Sequence, residues 1–337
     1  MNETKLLEMS SKIQDLLAAV KVNLKVLTVI ISDTILTFIC VLEDITQLNK
    51  VLSSQNEIAM ALGVKAVTVK RVASEIILEV EHGEKLEIPS FAKLLEMYKT
   101  HENFAIVGFA TNGNLLQLRI DSPTVVHFMV VGTTGSGKSQ LARQIVVSMC
   151  YNLKPNELEL FLIDTKGTTF KPLSLLPHIN QDGVITDVEI GIEKLNELVI
   201  EMELRDKSGK KNPLIFLCIE EVADFVAVGG DRVIKPLQRL LQRGREANIH
   251  VMALTQKPLA SVFGSLGKAN FPVKIVGKVV SKKEAKFATD RENSGAENLK
   301  GKGDFLIVHG DDIKRFQAFW FNQGELNEIF KQIDRNS

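Results

Sequence analysis

The chain has 337 residues, of which 45% are hydrophobic and 24% are charged, a composition typical of a globular protein with about two domains. Its 41 basic and 41 acidic residues cancel, so no overall charge indicates a nucleic-acid or membrane partner, and any such surface must be local. Cys40, Cys150 and Cys218 lie in apolar segments without the spacing of a zinc site or a disulfide framework, which favours a reducing cytosol.

The N-terminal part of the chain predicts a small α+β domain, which we place at residues 1–100. Apolar residues recur at helical spacing near the N-terminus. The apolar run over residues 26–42 has Asp33 near its middle, a charge that would cost roughly 2.5–3.5 kcal/mol in a bilayer, so we predict two strands with a turn at residues 32–34. A helix ending at Gly63 and the short strands "AVTVKRV" and "EIILEVE" complete the domain. We expect no membrane insertion of this chain.

A second domain is predicted at residues 101–337, where strands alternate with helices. This alternation is typical of a parallel sheet that is covered on both faces, and so of an α/β fold. The predicted parallel strands are 125–131, 158–164, 213–219, 249–255 and 273–279. The final pair, "DFLIVHG" and "RFQAFWF", is predicted to add to one edge of the sheet in antiparallel orientation.

A glycine-rich loop, "GTTGSGKS", follows the strand "VVHFMVV" and precedes the helical pattern "QLARQIVVSM". It matches G-x-x-x-x-G-K-[ST] in the strand–loop–helix setting that this motif requires. The N–H groups of such a loop surround phosphate oxygens, and the helix N-terminus adds partial positive charge. We predict a site for ATP and Mg²⁺, in which Lys138 neutralises the β- and γ-phosphates and the Ser139 hydroxyl binds Mg²⁺. The loop residues are Gly132, Thr133, Thr134, Gly135, Ser136, Gly137, Lys138 and Ser139.

Two adjacent acids, Glu220 and Glu221, end the apolar strand in "PLIFLCIEEVADF". Successive strand residues point to opposite faces, so at the end of a strand the two carboxylates reach different parts of one crevice. Beside a phosphate loop, we predict that Glu220 holds the Mg²⁺ shell and that Glu221 is the catalytic base. The first acid of such pairs is usually Asp. The extra methylene of Glu220 can misplace the metal, and a slow or inactive ATPase is therefore a second hypothesis.

Several further motifs resemble the DNA translocases of the FtsK/SpoIIIE type, within the HerA–FtsK group of ring-forming motors. They are "IEEVADF", "QRGREANIHVMALTQKP", "KANFPVKIVGKVVSKKEAK" and "GAENLKGKGDFL", and they occur in the order and at the spacing of that family. The segments "DTILTFICVLED" and "NEIAMALGVKAVTV" are also similar to the small α domain that precedes the motor core. The resemblance covers about residues 12–330. It implies a RecA-like ATPase core with a mostly parallel sheet, preceded by the small α+β domain.

The resemblance also implies roles for single residues. Arg245 matches the arginine that reaches across a subunit boundary toward the γ-phosphate of a neighbour, with Arg243 as the second choice. Gln256 ends the strand expected between the phosphate-loop strand and the Glu220 strand, where it could contact the γ-phosphate or the attacking water. The alternative roles are a solvated arginine and a polar strand cap.

A local basic segment lies between Lys257 and Lys286, where Glu284 stands alone against seven lysines: Lys257, Lys268, Lys274, Lys278, Lys282, Lys283 and Lys286. Such a segment suits phosphate contacts that carry no sequence information and weaken with salt. In the family the pore loops that grip DNA come from this region, which implies DNA binding by Lys257, Lys268, Lys278 and Lys282. The alternative is an ordinary solvated lysine face.

The resemblance implies a cytoplasmic, ATP-driven motor that moves duplex DNA through a homohexameric ring. The sequence predicts a short form without the membrane-spanning and winged-helix domains of the chromosome-partitioning relatives. It would either act alone or depend on recruiting or membrane partner proteins for anchoring and direction. Two other functions stay open: a nucleotide-dependent DNA-binding or assembly module with little turnover, and a conjugative coupling or type VII secretion motor.

Overall fold

The computed structural model describes residues 3–31, 35–72, 75–81, 90–110, 114–122, 125, 127–256 and 271–336. The chain forms two units, one made of residues 1–89 with 109–114 and the other of residues 90–108 with 115–337. The larger segment of the first unit ends at residue 89, and the boundary at residue 100 and the roles of the two domains remain predictions.

The first unit contains a four-stranded antiparallel sheet in the order β1-β2-β4-β3. Its core is apolar, with Ile13, Leu17, Phe38 and Leu78 almost fully buried. The single helix predicted before Gly63 is two helices that meet at Ser54, and the turn predicted at residues 32–34 lies outside the described residues. The elements are α1 (Glu3–Ala19), β1 (Leu24–Ile31), β2 (Ile35–Leu42), α2 (Leu48–Ser53), α3 (Gln55–Leu62), β3 (Ala66–Val72) and β4 (Glu75–Glu81).

The second unit is built on a sheet that, within the described residues, has ten strands in the order β6-β5-β14-β13-β12-β7-β11-β10-β8-β9. The strands are β5 (Phe104–Ala110), β6 (Leu115–Arg119), β7 (His127–Val131), β8 (Leu158–Ile163), β9 (Ile179–Ile185), β10 (Leu214–Ile219), β11 (Ile249–Thr255), β12 (Val273–Val276), β13 (Asp304–His309) and β14 (Asp312–Gln317). Six neighbouring strands of this order, β12-β7-β11-β10-β8-β9, pair with one another in parallel. The predicted α/β class with a mostly parallel sheet is therefore confirmed.

Helices cover both faces of this sheet, and two apolar layers fill the space between helices and strands. Every residue of β7, β10 and β11 is buried, since parallel strands lie between two helical layers and carry apolar side chains on both faces. The helices are α4 (Phe91–Met97), α5 (Lys138–Asn152), α6 (Val188–Ser208), α7 (Val222–Gly229), α8 (Asp231–Arg243), α9 (Lys282–Thr289) and α10 (Gln323–Asn336). No helix in the described part of the chain combines the length and apolarity needed to cross a membrane.

The structure corrects the prediction for the edge of the sheet. The last two strands are antiparallel, as expected, but they are interior, because β5 pairs beyond β14 and β6 forms that edge. The opposite edge is β9, "INQDGVI", whose side chains are largely solvent-accessible. Sequence patterns did not predict β9 because an edge strand with polar residues lacks the apolar run of a central strand.

A buried histidine opens the central strand β7. His127 is 2% exposed, its Nδ1 accepts a hydrogen bond from the Val251 N–H at 3.1 Å, and its ring lies 6.4 Å from that of His250. Burial, and secondarily the charge of His250, lowers the pKa of His127 to about 3. The folded protein therefore holds this imidazole neutral at pH values at which an unfolded chain would protonate it.

Acidification should destabilise the protein through His127. Its folded pKa lies below the unfolded value, so the unfolded state takes up a proton as pH falls through about 6.5 while the folded state does not. The loss should reach about 2 kcal/mol between pH 7 and pH 5. Urea unfolding at both pH values measures this loss, which His127→Asn should reduce because Asn keeps an acceptor for Val251 N–H but does not titrate. The exposed His101→Asn is the control, and equal losses in all three proteins would contradict the prediction.

Candidate active site

The phosphate loop joins the end of β7 to the start of α5. Gly135 and Gly137 have left-handed backbones, with φ of +80° and +103°, which glycine adopts without the steric cost that a side chain imposes. Lys138 is 6% exposed, and its Nζ donates to the Gly132 carbonyl at 2.6 Å. Burial lowers the pKa of Lys138, and the nearby Glu220 and Glu221 carboxylates oppose that shift.

Backbone contacts on its outer side hold the loop in place. The Thr133 N–H donates to the Lys278 carbonyl just after β12, at 2.9 Å. From the turn before β13, the Lys302 N–H donates to the Gly135 carbonyl at 2.9 Å and the Gly303 N–H to the Ser136 carbonyl at 2.8 Å. The loop conformation is therefore determined jointly by its glycines and by segments more than a hundred residues further along the chain.

The order of the parallel strands brings Glu221 and Gln256 to the phosphate loop. As predicted, β11 lies between β7 and β10. The residues that follow these three parallel strands therefore lie together at the carboxyl ends of the strands. Glu221 is 3% exposed, and its Oε1 accepts from Thr255 Oγ1 at 3.0 Å and from the Gln256 N–H at 3.1 Å. The Gln256 side chain in turn accepts from Thr134 Oγ1 at 3.0 Å. Hydrogen bonds thus connect the predicted base to the loop through Gln256.

Glu221 adopts an unusual backbone conformation at the start of α7. Its φ of +42° is in the left-handed region, which costs a residue with a side chain of order 1–3 kcal/mol unless its surroundings hold it there. Here the two hydrogen bonds to its carboxylate supply part of that restraint. The conformation turns the chain sharply after β10 and directs Glu221 toward β11.

Glu220 is buried differently from its neighbour. It is 8% exposed, and no donor in the described part of the chain reaches its Oε2. Burial raises the pKa of Glu220 to about 7, the charges of Asp164 and Glu221 add to the shift, and Lys138 and Thr169 oppose it. A carboxylate in these surroundings is stabilised by a cation, which would supply the missing partner.

A third acid, Asp164, belongs to the same cluster and was not predicted from the sequence. It is fully buried at the end of β8, and its Oδ2 accepts from the N–H groups of Thr169 and Phe170 at 2.7 and 2.8 Å. Its Oδ1 has no hydrogen-bond partner among the described residues. Thr169 Oγ1 donates to Ser139 Oγ at 3.0 Å. An acid directly after the apolar run "LELFLI" is the signal that could have identified it.

These residues suit Mg²⁺. Glu220 and Asp164 each offer a buried carboxylate oxygen without a partner, and the Ser139 hydroxyl is joined to the Asp164 loop through Thr169. Mg²⁺ is commonly bound by one or two carboxylates together with substrate phosphates and water. No group of three or more His, Cys, Asp or Glu side chains with metal-binding geometry occurs in the described residues.

The predicted trans-acting arginine lies far from the phosphate loop of its own chain. Arg245 occupies a short 3₁₀ turn before β11 and is about half exposed, with its Nε 3.8 Å from Glu246 Oε1. The adjacent Gly244 lies against His127 at the start of β7, whereas the loop follows the end of that five-residue strand, roughly 13 Å away. Arg243 donates to Asp206 at 2.6 Å. An arginine at this edge of the sheet is available to another molecule rather than to its own loop.

The lysines of the basic segment divide into three groups. Lys257 and Lys268 lie outside the described residues, while Lys278, Lys282 and Lys283 are exposed. Lys274 is buried and pairs with Asp290, and Lys286 pairs with Glu292. The basic surface is therefore smaller than the seven lysines of the sequence suggest, because Lys274 belongs to the interior.

Comparison with known sequences identifies relatives of this chain. Residues 99–210 match the model of the FtsK/SpoIIIE family. The chain is 28% identical over 318 residues to DNA translocase FtsK of Staphylococcus aureus strain Mu50, a match that covers 85% of this chain and 40% of the relative. It is 27% identical to DNA translocase SftA of Bacillus subtilis strain 168, with 85% of this chain and 33% of the relative covered. The chain thus spans 40% or less of these relatives, and the resemblance predicted from the motifs is confirmed.

Solved structures share the fold. The pCW3 conjugation coupling protein TcpA, in a monomer form with ATPgS, superimposes with a TM-score of 0.63 and 19% identity over 98% of this chain and 100% of TcpA. The cytoplasmic domain of the type VII secretion ATPase EccC of Thermomonospora curvata gives a TM-score of 0.60 and 19% identity over 70% of this chain and 31% of EccC. At these identities the likeness concerns the fold alone.

The two left-handed glycines of the loop should differ in their tolerance of a side chain. A Cβ at Gly137 would lie 2.7 Å from the Gly303 backbone nitrogen, whereas a Cβ at Gly135 meets no described atom within 4 Å. Gly135→Ala should cost about 1–2 kcal/mol for its backbone conformation alone, and Gly137→Ala should cost more because the 301–303 turn must also move. Urea unfolding without nucleotide measures both, and equal losses would contradict this account of the loop.

Proposed function

We propose that this chain, whose ATPase core is of the FtsK/SpoIIIE type, is the ATP-hydrolysing motor of a DNA translocase that works as a homohexameric ring on duplex DNA. The observation that carries the proposal is the hydrogen-bonded connection from Glu221 through Gln256 to Thr134 of the phosphate loop. It links the group proposed to act on water to the loop proposed to bind phosphate. The DNA translocases among its relatives support DNA as the partner.

ATP binding is assigned to the phosphate loop and to Lys138. The loop N–H groups and the N-terminus of α5 bind the phosphates, and the Lys138 ammonium exchanges the Gly132 carbonyl for β- and γ-phosphate oxygens. Glu220, Ser139 and Asp164 would hold Mg²⁺, which supplies neutralisation of the phosphate charge. The buried carboxylates of Glu220 and Asp164 would therefore gain a cation as partner when the substrate complex forms.

Hydrolysis is assigned to Glu221. Its carboxylate, held by Thr255 and by the Gln256 N–H, accepts a proton from the water that attacks the γ-phosphate. The Gln256 side chain accepts a hydrogen bond from Thr134. A bound γ-phosphate that replaces this hydrogen bond would move the Gln256 side chain, whose backbone N–H holds Glu221. This arrangement couples the state of the nucleotide to the end of β11, immediately before the segment that contains the predicted DNA-binding residues Lys257 and Lys268.

The remaining roles require neighbouring subunits. Arg245, at the edge of the sheet opposite the loop, is proposed to stabilise the γ-phosphate bound to an adjacent subunit. Lys257, Lys268, Lys278 and Lys282 are proposed to contact DNA phosphates. Contacts between lysine ammonium groups and phosphates are independent of base sequence, as a motor that moves along DNA requires.

A second candidate is a nucleotide-dependent DNA-binding or assembly module with little turnover. The identity of Glu220 favours it, because this position carries Glu where an Asp is usual and the extra methylene can misplace the metal. In that case Glu220→Asp should raise turnover, whereas in an efficient motor it should lower turnover. The fold likeness to TcpA and EccC keeps a third candidate, a conjugative coupling or type VII secretion motor, which stimulation by single-stranded DNA or by a polypeptide would favour.

ATP hydrolysis should rise with duplex DNA. Turnover is measured without DNA, with duplex DNA and with single strands, each at two salt concentrations, and the duplex effect should fall at the higher salt. Lys138→Ala should abolish nucleotide binding. Glu221→Gln should retain binding and lower turnover about a hundredfold or more, the contribution of a general base. Turnover that ignores duplex DNA, or that survives Lys138→Ala, would sink the proposal.

The trans role of Arg245 predicts complementation between two inactive variants. Arg245→Ala has an intact loop and Lys138→Ala has an intact arginine, and each alone should hydrolyse ATP at least about a hundredfold slower than the natural protein. An equimolar mixture should regain roughly a quarter of the activity, since half of the loops are intact and half of these face an intact arginine. Arg243→Ala is the matched control and should be active by itself. Failure of the mixture to regain activity would exclude the trans role.

A further inference from the structure

Trp320 is a large exposed side chain beside the candidate active site. It is the one tryptophan of the sequence and is 75% exposed. It lies in the segment 318–322, which joins β14 to α10. Its indole offers a flat apolar face that a planar ligand can cover.

The segment 318–322 is fixed against the first two turns of α5. Gln140, one residue after Ser139, donates to the Phe321 carbonyl at 3.0 Å, and the Phe319 N–H donates to Gln144 Oε1 at 3.0 Å. The rings of Phe319 and Phe321 both stack on Phe91, at 5.8 and 5.2 Å between centroids. Alternate residues of an extended segment point to opposite sides, so Trp320 faces away from Phe91 and from the core.

The same segment is joined to the phosphate loop. The Ala318 N–H donates to the Gly303 carbonyl at 2.7 Å, and the Gly303 N–H donates to the Ser136 carbonyl at 2.8 Å. Trp320 is therefore two residues from a contact with the turn that supports the loop, and one residue from a contact with α5.

The order of strands gives the direction of a bound nucleotide. Glu221 and Gln256, which are assigned to the γ-phosphate end, follow β10 and β11 on one side of β7, whereas the 301–303 turn precedes β13 on the other side. The Lys138 side chain reaches the β- and γ-phosphates, and the backbone N–H groups at the start of α5 bind the α-phosphate end of the nucleotide. The nucleoside then leaves the site on the Gln140 side, where the segment 318–322 lies.

We propose that Trp320 forms the face on which the purine base of the bound nucleotide stacks. The base offers a flat π-surface of the kind that an indole stacks on, and such stacking tolerates different bases because each has a π-face. Trp320 then contributes to nucleotide affinity while remaining apart from the phosphates. This inference rests on the proposed function, since it assigns the base-binding part of the same nucleotide site.

The position of the only tryptophan provides a direct readout. Binding of ATP should change the intrinsic fluorescence of the protein, whereas inorganic tripolyphosphate, which has no base, should bind the loop and leave the fluorescence nearly unchanged. Trp320→Ala should weaken ATP binding about tenfold, with tripolyphosphate binding unchanged, and Trp320→Phe should restore much of the ATP affinity because it retains an aromatic face. Calorimetry measures the affinities, and the exposed Met60→Ala of the first unit is the control for loss of an apolar surface residue.

Two negative results have different meanings. If the natural protein binds ATP, but its fluorescence does not respond and Trp320→Ala binds ATP equally well, the stacking inference is wrong and the ATPase proposal stands. If the natural protein binds neither ATP nor tripolyphosphate, the proposed function fails and the stacking inference fails with it. Equal losses of ATP and tripolyphosphate affinity in Trp320→Ala would assign the residue to support of the loop, which also overturns the inference.

Discussion

The parallel pairing of β7, β11 and β10 is the constraint on which the candidate site depends. The three strands end side by side, at Val131, Thr255 and Ile219, so the groups that follow these residues must lie close together. A loop, an amide and a carboxylate from three distant parts of the chain come within hydrogen-bonding distance as a result. Burial of the apolar residues of the three strands between two helical layers stabilises this pairing. The pairing in turn positions the polar residues that follow the strands.

Burial also determines the electrostatics of the site. The carboxylates of Asp164, Glu220 and Glu221 are each at least nine-tenths buried, and those of Glu220 and Glu221 lie close to the Lys138 ammonium. The three carboxylates differ in their hydrogen bonding. Glu221 accepts from side-chain and backbone donors, while Glu220 and Asp164 each have one oxygen without a donor in the described residues. Such an arrangement is costly by itself and is relieved by a bound cation, which couples the stability of the site to its occupancy.

The sequence located the phosphate loop and the two acids that follow β10 because these signals are local. The loop motif and the helix after it occupy consecutive residues, and the apolar run before Glu220 and Glu221 identifies a central strand. Asp164 was missed because a single acid after a strand has no distinctive spacing. Lys274 was taken for a surface residue because its partner Asp290 is sixteen positions away. The predicted position of the last two strands at the edge of the sheet was wrong because strand order depends on long-range pairing between β14 and β5.

By itself, the sequence determined the class of fold, the position of the phosphate loop and the type of protein it resembles, since these depend on periodicity and on short motifs whose chemistry needs contiguous residues. Only the tertiary structure decided which polar groups meet. It joined Gln256 to both Glu221 and Thr134, added Asp164 and Thr169 to the Ser139 hydroxyl, and brought the segment that contains Trp320 against α5. Contacts of this kind are made by side chains from different strands, and strand order and register, rather than any local pattern, determine which of them are close.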